Sequence, residues 1–242
     1  MKLCKNCKKE LSKQQIAKKG LFCSKGCATS YRQKANDPDI SMLHNKDLLF
    51  YILGLIWSDG NLSSDLRKIS ICSTDKSLID DLYPVFCDCK HRKIYSYTVH
   101  GFTSHTIINT NQNFIDFCMQ LGLHPHKSFT INFPKIPKEN VYSFIRGIFD
   151  GDGSIYIQNR YKNKIYLGIS IVSANNAFLL KMQIYLQEQQ INSNVILDSR
   201  GSIYCLKIYQ QESIKKFYQY IYQTDTCSLH RKKAKFLIND IV

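Results

Sequence analysis

The chain has 242 residues, 44% of them hydrophobic, and 33 Lys and Arg against 19 Asp and Glu give it a formal charge of +14. This hydrophobic content is enough for a buried core and excludes an intrinsically disordered chain. The charge excess predicts a polyanionic partner, with nucleic acid ahead of a merely solvated basic surface. The longest apolar run, around residues 48–57, is far below the ~18–20 residues of a membrane span, and no signal-peptide pattern is found. We therefore expect an intracellular protein that is not secreted and has no membrane partner.

Four cysteines near the start of the chain form two close pairs, Cys4 with Cys7 and Cys23 with Cys27. Two such pairs across a short basic loop can supply four thiolates tetrahedrally to one structural Zn²⁺. A segment with little else to bury would gain its folding energy from the metal. The spacing resembles that of small treble-clef-like zinc fingers and predicts a zinc module over residues 1–35. Four free thiols or a redox site are the alternatives.

After a polar linker, the chain repeats one order of predicted elements. The first half, residues 46–125, reads as a helix at 46–58, strands at 61–65 and 68–73, a helix at 76–86, strands at 93–99 and 104–109, and a helix at 113–121. The second half, residues 126–242, reads as a helix at 139–149, strands at 154–159 and 164–172, a helix at 177–190, strands at 194–198 and 203–209, and helices at 212–222 and 228–238. Strands without a helix between them pair antiparallel. The expected fold is α+β, with two pseudo-symmetric αββαββα halves whose antiparallel sheets form a saddle.

A nine-residue pattern occurs once in each half. It reads ILGLIWSDG at residues 52–60 and IRGIFDGDG at residues 145–153, so that Gly54 and Gly147 are 93 residues apart. Small residues four apart share one helix face, and they let two helix backbones approach closely. We predict that the two helices pack side by side through Gly54 and Gly147.

The aspartates of the pattern, Asp59 and Asp152, would then lie together at the C-terminal ends of the two helices. A carboxylate there faces the negative end of the helix dipole, and two carboxylates side by side repel each other. Bound Mg²⁺ (or Mn²⁺) would offset both effects, so the pattern predicts a divalent-metal site. An ordinary Asp-Gly turn after a core helix is the alternative. Two matched copies favour the metal site.

These motifs resemble those of the LAGLIDADG homing endonucleases, in the form in which one chain carries both copies. The resemblance extends to FPKIP at 133–137, FIRGIFDGDGSI at 144–155 and LHRKKAKF at 229–236. It implies a monomeric, site-specific endonuclease of double-stranded DNA with a long asymmetric target, of the kind found in mobile introns. It also implies that Asp59 and Asp152 bind the catalytic metal, joined by the backbone carbonyls of Ser58 and Gly151.

The family also places basic residues near the scissile phosphates. By the resemblance, Lys127 and Lys232 are the expected catalytic lysines, which would polarise the attacking water or stabilise phosphorane charge. A plain phosphate-contacting or solvated cation is the alternative for each. Trp57 stands where the family has an earlier aspartate. We expect Trp57 in the core, and its counterpart Asp150 outside the set of metal ligands.

Outward side chains of the two sheets would meet the DNA, because arginine and lysine reach phosphates and tyrosine can reach base edges. The candidate DNA-binding residues are Arg67, Lys68, Arg92, Lys93, Tyr95, Tyr97, Arg160, Lys162, Lys164, Arg200, Lys207 and Arg231. The zinc module would add DNA contacts, bind a protein or steady the fold. The alternative function is a non-cleaving DNA-binding regulator or an RNA maturase of the same fold. Two intact aspartates favour cleavage over a degenerate binder.

Overall fold

The computed structural model describes residues 2–5, 7–17, 20–28, 44–87, 93–161, 164–198, 201–224 and 226–237, without the side chains of 159–161 and 164. The chain divides into two compact units. One contains residues 1–39 with 88–91, and the other contains residues 40–87 with 92–242. The linker predicted near residues 33–45 lies largely outside the described residues.

The N-terminal unit contains little regular structure. Leu3 and Glu10 pair in an antiparallel bridge, helix α1 spans Lys13–Ala17, and residues 25–28 are helical. Among its described residues, the buried apolar side chains are those of Cys4 and Leu11. So small an apolar core requires another source of stability.

The larger unit repeats one order of elements. In the first half, helix α2 (Lys46–Trp57) is followed by β1 (Asn61–Leu62), β2 (Ile69–Ser73), α3 (Lys76–Phe86), β3 (Tyr95–Val99), β4 (Phe102–Asn109) and α4 (Gln112–Gln120). In the second half, α5 (Val141–Asp152) is followed by β5 (Gly153–Tyr161), β6 (Lys164–Ser173), α6 (Asn176–Glu188), β7 (Asn194–Leu197), β8 (Tyr204–Ile208), α7 (Gln211–Ile221) and α8 (His230–Phe236). The predicted α+β class and the doubled αββαββα order are confirmed.

Each half contains one four-stranded antiparallel sheet, in the order β1-β2-β4-β3 in the first and β5-β6-β8-β7 in the second. Buried and accessible positions alternate along the strands: Ile69 and Ile71 are buried, whereas Cys72 is exposed. Because successive side chains of a strand point to opposite faces, one face of each sheet packs under helices and the other remains open. Helix α3 packs on β2 and β4, and α6 packs on β6 and β8.

Helices α2 and α5 pack along each other at the centre of this unit. Nine of the twelve residues of each helix are buried. Asparagine side chains fix several helix starts, since Asn45, Asn111 and Asn175 accept hydrogen bonds from backbone N–H groups of the first turn. Within the described ranges, no helix combines the length and the apolar character that crossing a membrane requires.

Candidate functional site

The two central helices touch through their glycines. A Cβ atom added to Gly54 would lie 2.8 Å from Cα of Gly147, and one added to Gly147 would lie 2.8 Å from Cα of Gly54. Real Cβ atoms do not approach other atoms so closely, so a larger residue would force the helices apart. The repeated glycine therefore sets the spacing between α2 and α5.

One turn further on, small residues bring the C-terminal ends of both helices together. A Cβ atom on Gly151 would lie 2.7 Å from Cβ of Ser58 and 3.2 Å from carboxylate oxygen Oδ2 of Asp59. The Ser58 hydroxyl turns back and donates to the carbonyls of Gly54 and Leu55, at 3.1 and 3.2 Å. The Asp59 carboxylate consequently lies against the end of α5, which terminates at Asp152.

The two carboxyl groups perturb each other. Burial, and after it the charge of Asp59, raises the pKa of Asp152 to about 6, while Lys127 and Lys232 act in the opposite direction. The pKa of Asp59 is also raised by the loss of surrounding water, again opposed by the two lysines. Asp59 is exposed to solvent, whereas Asp152 is half-buried. Such a carboxyl pair is typical of functional sites.

Lys127 reaches this pair from the segment between the halves. Its Nζ donates to the carbonyl of Ser58 at 2.7 Å, and its side chain is buried. Burial lowers the pKa of Lys127, whereas the charges of Asp152 and Asp59 raise it. The turn that carries the lysine begins at His126, which has a left-handed backbone with φ of 55°. The structure therefore brings Lys127 to the end of α2.

Lys232, on helix α8, reaches the end of α5 in the same way but with more contacts. Its Nζ donates to the carbonyls of Phe149, Asp150, Gly151 and Gly153, at 2.8, 2.7, 3.1 and 2.5 Å. Burial lowers the pKa of Lys232 to about 8. The ammonium also lies 5.4 Å from the centre of the Phe149 ring. It therefore closes the C-terminus of α5 with a charge-assisted cap.

Both lysines share a role that sequence reasoning gave to the metal alone. Each places a positive charge at a helix C-terminus, where it offsets the dipole. The carbonyls of Ser58 and Gly151, the expected metal ligands, accept hydrogen bonds from these ammonium groups. A carbonyl oxygen has two lone pairs, so each retains a second position for a ligand.

This arrangement of paired helices, carboxylates and lysines sits partly in a segment that matches a protein-family model. Residues 139–222 match the model described as the LAGLIDADG-like domain. This matched segment lies within the second half of the chain and is similar to LAGLIDADG-like domains. The family resemblance predicted from the two motifs is confirmed.

Two curated proteins contain a segment similar to this chain. It is 26% identical over 196 residues to reverse gyrase of Thermococcus kodakarensis and 36% identical over 98 residues to a probable translation initiation factor IF-2 of Methanocaldococcus jannaschii. The matches cover 79% and 38% of this chain, but only 10% and 7% of those proteins. The chain thus spans a small part of each relative that it matches.

Solved structures show the same fold. Mesophilic variants of the homing endonuclease I-DmoI match with a TM-score of 0.53 and 18% identity over 78% of this chain and 97% of that one. A variant of I-SmaMI matches at 0.50 and 14% identity over 72% and 83%. The N-terminal LAGLIDADG domain of DUF199/WhiA matches at 0.50 and 18% identity over 81% and 87%. At these identities the similarity establishes the fold.

The open faces of the two sheets carry polar and aromatic side chains. In the first sheet, Tyr95 pairs with Thr106 and Tyr97 with Ser104 on the face opposite the buried Ile107. Tyr97 is 73% exposed, and Phe102 at the hairpin end is 77% exposed. Aromatic rings so open to water are typical of surfaces that meet a partner.

The candidate DNA-binding cations differ in how the structure places them. Arg67, Lys68 and Lys93 are exposed, and Lys207 lies on β8 opposite Asn194 and Ser170. Arg231 instead donates through Nε to both carboxylate oxygens of Asp75, at 3.0 and 2.9 Å. Asp75 precedes α3 but makes no cap hydrogen bond with its side chain. Arg92, Lys162 and Arg200 lie outside the described residues, as do the side chains of Arg160 and Lys164.

The four cysteines of the N-terminal unit meet in one cluster. The sulfur atoms of Cys4, Cys7, Cys23 and Cys27 all lie within 4.8 Å of one another. Cys23 is 3.5 Å from Cys7 and 3.4 Å from Cys27, sulfur to sulfur. Hydrogen bonding, first with Cys27 and then with Cys7, raises the pKa of Cys23 to about 12. The four-cysteine cluster is geometrically suited to a metal ion.

Position 57 of the first motif and position 150 of the second have roles that sequence reasoning did not assign. Trp57 is buried and donates from Nε1 to the carbonyl of Asn132 at 3.1 Å. Asp150 is buried, and its Oδ2 accepts from the Tyr51 hydroxyl at 2.8 Å and from the Leu229 N–H at 2.7 Å.

Arg146 is a second feature that sequence reasoning missed. It is fully buried, and Nη2 donates to Asp47 at 2.9 Å and to Thr226 at 2.8 Å. Nη1 donates to the Ile221 carbonyl at 3.1 Å and to the Thr224 hydroxyl at 3.0 Å. The one available signal was an arginine inside the apolar run of the second motif, where an unpaired charge would be costly.

Proposed function

We propose that this protein is a metal-dependent, site-specific endonuclease that cuts both strands of double-stranded DNA. The observation that carries the proposal is the meeting of Asp59, Asp152, Lys127 and Lys232 at the joined ends of two pseudo-symmetric helices. Each motif supplies one carboxylate, and one lysine contacts the end of each motif helix, Lys127 at α2 and Lys232 at α5. One set of groups is therefore available for each DNA strand.

The donor set fits Mg²⁺ or Mn²⁺. Asp59 and Asp152 offer carboxylate oxygens, and Ser58 and Gly151 offer carbonyl oxygens beside them. Hard divalent cations prefer oxygen ligands of this kind. The raised pKa of Asp152 reflects an excess of negative charge that a cation would relieve. When bound, such a metal activates water and stabilises charge on the phosphate.

The lysines supply the charge that the carboxylates lack. An ammonium has three N–H donors, and Lys127 uses one of them on Ser58. The remaining donors can face a phosphate oxygen or orient a water molecule. Lys232 donates its N–H groups to backbone carbonyls at the end of α5. We infer that Lys127 acts more directly on DNA, and that Lys232 acts mainly by holding its carboxylate in place.

Double-stranded DNA suits the charge and the surfaces of the chain. A charge of +14 favours binding to phosphates. Strands present exposed tyrosines and cations on open faces, and β-ribbons fit the major groove. A solved complex of I-DmoI contains DNA and Ca, and it matches this chain with a TM-score of 0.51 and 18% identity. Two unequal halves in one chain would address a long asymmetric site as a monomer.

The relatives support an origin as a mobile element. Reverse gyrase and a translation initiation factor have unrelated functions, yet each contains a short segment similar to this chain. A nuclease gene that inserts into different host genes would give this pattern. We propose the same class of element here, such as one carried by a mobile intron.

The cysteine cluster would hold Zn²⁺ in a structural role. Tetrahedral zinc thiolate sites have Zn–S bonds of about 2.3 Å, which separates the sulfur atoms by roughly 3.8 Å. The separations of 3.4 and 3.5 Å at Cys23 are close to this value. Four thiolates on one closed site leave no position for substrate. We therefore propose stability, with added DNA contacts, rather than redox chemistry.

A non-cleaving regulator is the alternative, because the WhiA domain has the same fold; an RNA maturase is a further one. Cleavage of a randomised library of long duplexes in Mg²⁺ separates them. We expect cut products from a specific subset of duplexes. Asp59→Asn and Asp152→Asn should each abolish double-strand cutting while binding in Ca²⁺ persists. Specific binding without cutting in either Mg²⁺ or Mn²⁺ would establish the regulator instead.

A further inference from the structure

Trp57 and Asp150 occupy equivalent positions, 93 residues apart, in the two motifs. Their side chains are 3% and 4% exposed. Chemically they are opposites, since an indole N–H can only donate and a carboxylate can only accept. Each nevertheless binds the backbone of the segment whose lysine contacts its own motif helix.

In the first half, Trp57 donates to the carbonyl of Asn132 at 3.1 Å. The backbone between Asn132 and Lys127 is closed on itself, because Thr130 and Ile131 donate to the Lys127 carbonyl at 3.0 and 2.8 Å. A bond at Asn132 therefore fixes the turn from which the Lys127 side chain extends. The ammonium reaches Ser58, the residue that follows Trp57.

In the second half, Asp150 accepts from the N–H of Leu229 at 2.7 Å. Leu229 stands at the start of α8, and its carbonyl accepts from the backbone N–H of Lys232 at 2.9 Å. The bond to Asp150 therefore fixes the first turn of the lysine-bearing helix. The ammonium reaches Gly151, the residue that follows Asp150.

We propose that Trp57 and Asp150 are positioning residues, each of which holds one lysine-bearing backbone segment against its own motif helix. The change from aspartate to tryptophan at this position is then matched by a change in the partner, from a backbone N–H to a carbonyl. The consequence for DNA cleavage rests on the proposed function. The positioning itself does not, and it can be measured without DNA.

Amine labelling of the folded protein, read residue by residue by mass spectrometry, tests the positioning. Trp57→Phe keeps an aromatic ring but loses the indole N–H and the second ring. Asp150→Leu loses the acceptor, whereas Asp150→Asn loses only the charge and keeps an acceptor for Leu229. We expect Trp57→Phe to speed labelling of Lys127 about five- to tenfold, the value of one hydrogen bond, with Lys232 unchanged.

Asp150→Leu should speed labelling of Lys232 by a similar factor, and Asp150→Asn should restore most of the protection. Because both variants remove the charge, their difference reports the hydrogen bonds that Asp150 accepts from Leu229 and Tyr51. Equal labelling rates for Leu and Asn at position 150 would overturn the proposal for that half.

A second side chain also holds the segment that carries Lys127, and its contact remains in Trp57→Phe. The Asn175 side chain donates to the Ile131 carbonyl at 2.9 Å, beside Asn132. Asn175→Ser keeps a residue that caps α6 but cannot reach this carbonyl. Trp57→Phe combined with Asn175→Ser should therefore show the full effect. Unchanged Lys127 labelling in the double variant would overturn the proposal for the first half.

General loosening is the competing explanation, and Phe114→Leu controls for it. Phe114 is fully buried in α4 and donates its backbone N–H to Asn111 rather than to either lysine segment. Loosening raises the labelling of both lysines together, as this variant should. Selective labelling of one lysine supports positioning, and joint labelling in Trp57→Phe contradicts it.

Cleavage rates measured separately for each labelled DNA strand give the functional consequence. Trp57→Phe should slow one strand about tenfold relative to the other, as a lost hydrogen bond would, and Asp150→Leu should slow the opposite strand. Equal slowing of both strands would contradict the inference. Absence of cutting by the wild-type protein would instead contradict the proposed function, while the labelling result would stand.

Discussion

The charge on Asp59 raises the pKa of Asp152, because the two carboxyl groups end adjacent, tightly packed helices. Burial is the larger cause, and the resulting pKa is about 6. Lys127 and Lys232 oppose this shift without cancelling it. The helix pair therefore holds Asp152 in a position that disfavours its charged form. Functional sites commonly retain such a cost to stability.

Asp152→Asn should stabilise the metal-free protein at neutral pH. The pKa of Asp152 is raised from 3.8 to about 6 in the folded protein, so folding favours the protonated carboxyl group. The folded protein is therefore more stable below pH 3.8, and this stability is lost as the pH rises through 6. At pH 8 the charged Asp152 carboxylate therefore destabilises the wild type, whereas the neutral side chain of the variant does not. We expect the variant to gain about 1–3 kcal/mol at pH 8 in EDTA, and nothing at pH 4. Urea unfolding at both pH values measures the difference.

Urea unfolding of the same two proteins in Mg²⁺ tests the other side of this prediction. Saturating metal should stabilise the wild type at pH 8 and leave Asp152→Asn nearly unchanged, which removes the difference between them. Exposed Asp116, on α4, gives a control variant, Asp116→Asn, with no gain in EDTA. A wild type as stable as Asp152→Asn at pH 8 would contradict the electrostatic cost.

Replacing Lys232 should destabilise the fold more than replacing Lys127. Lys232 contacts four carbonyls and Lys127 contacts one, so Lys232→Met leaves several buried acceptors without a donor. We expect Lys232→Met to lower the free energy of unfolding by about 3 kcal/mol, and Lys127→Met by about 1 kcal/mol. Urea unfolding gives these values.

The same variants should differ in DNA cleavage. With Lys127→Met, the fold persists and one strand is cut far more slowly, so nicked DNA accumulates. The variants Lys127→Arg and Lys232→Arg keep the positive charge but cannot make the same contacts, because a guanidinium is too large for the space that the ammonium occupies. Equal losses of stability in the two Met variants would remove the distinction between the lysines.

Periodicity and turn residues predicted much of the larger unit. The predicted helix at 76–86 coincides with α3, and the strands differ from the observed ones by a few residues at their ends. Apolar alternation is a local property, so it can be read without tertiary structure. Gly54 and Gly147 were found because the repeat supplied two copies to compare.

The contacts of Trp57, Asp150 and Arg146 could not be predicted, because their partners lie 75 to 99 residues away in the sequence. A single sequence does not show which carbonyl a buried N–H will meet. Arg231 illustrates the same limit, since its basic neighbours suggested phosphate contact while Asp75 lies within hydrogen-bonding distance. Pairing of charges across the fold depends on docking that no local pattern encodes.

Gly54→Ala should destabilise the protein strongly. The added methyl would meet the backbone at Gly147 and Ile148 within 3 Å, and backbone atoms cannot move aside as a side chain can. We expect a loss of about 3 kcal/mol in urea unfolding, with a similar loss for Gly147→Ala. Gly26→Ala is the matched control, because its nearest neighbour would be a Ser24 side-chain oxygen at 3.7 Å. A tolerated Gly54→Ala would show that the helices can separate at little cost.

Zinc removal should unfold the N-terminal unit and spare the larger one. Elemental analysis of the purified protein should find one zinc per chain, and Cys23→Ser should lose it. The described residues of the N-terminal unit bury few apolar side chains, so this unit should unfold when the metal is lost. Proteolysis should then cut within the first thirty-five or so residues. Cys72→Ser, at an exposed cysteine outside the cluster, should keep the metal. Full zinc content in Cys23→Ser would rule out the four-cysteine site.

Asp47 should contribute stability that depends on pH in the opposite sense to Asp152. Burial alone would raise its pKa, but hydrogen bonds from Ser143 and Thr226 and the charge of Arg146 outweigh it and lower the pKa to about 2. The contribution is therefore complete above the ordinary value of 3.8 and is lost as pH falls towards 2. Asp47→Asn should cost about 2–3 kcal/mol at pH 7, because it leaves the buried guanidinium of Arg146 without a counter-charge.

The stability difference between the wild type and Asp47→Asn should shrink steadily from pH 5 to pH 2 in urea titrations. Asp65→Asn is the control for lowered pKa without burial. The Ser63 hydroxyl lowers the pKa of Asp65, yet Asp65 is exposed and its charge is screened by water. The Asp65 variant should thus change stability little at any pH. A constant cost of Asp47→Asn across this range would mean that the hydrogen bonds of Asp47, rather than its charge, hold the buried arginine in place.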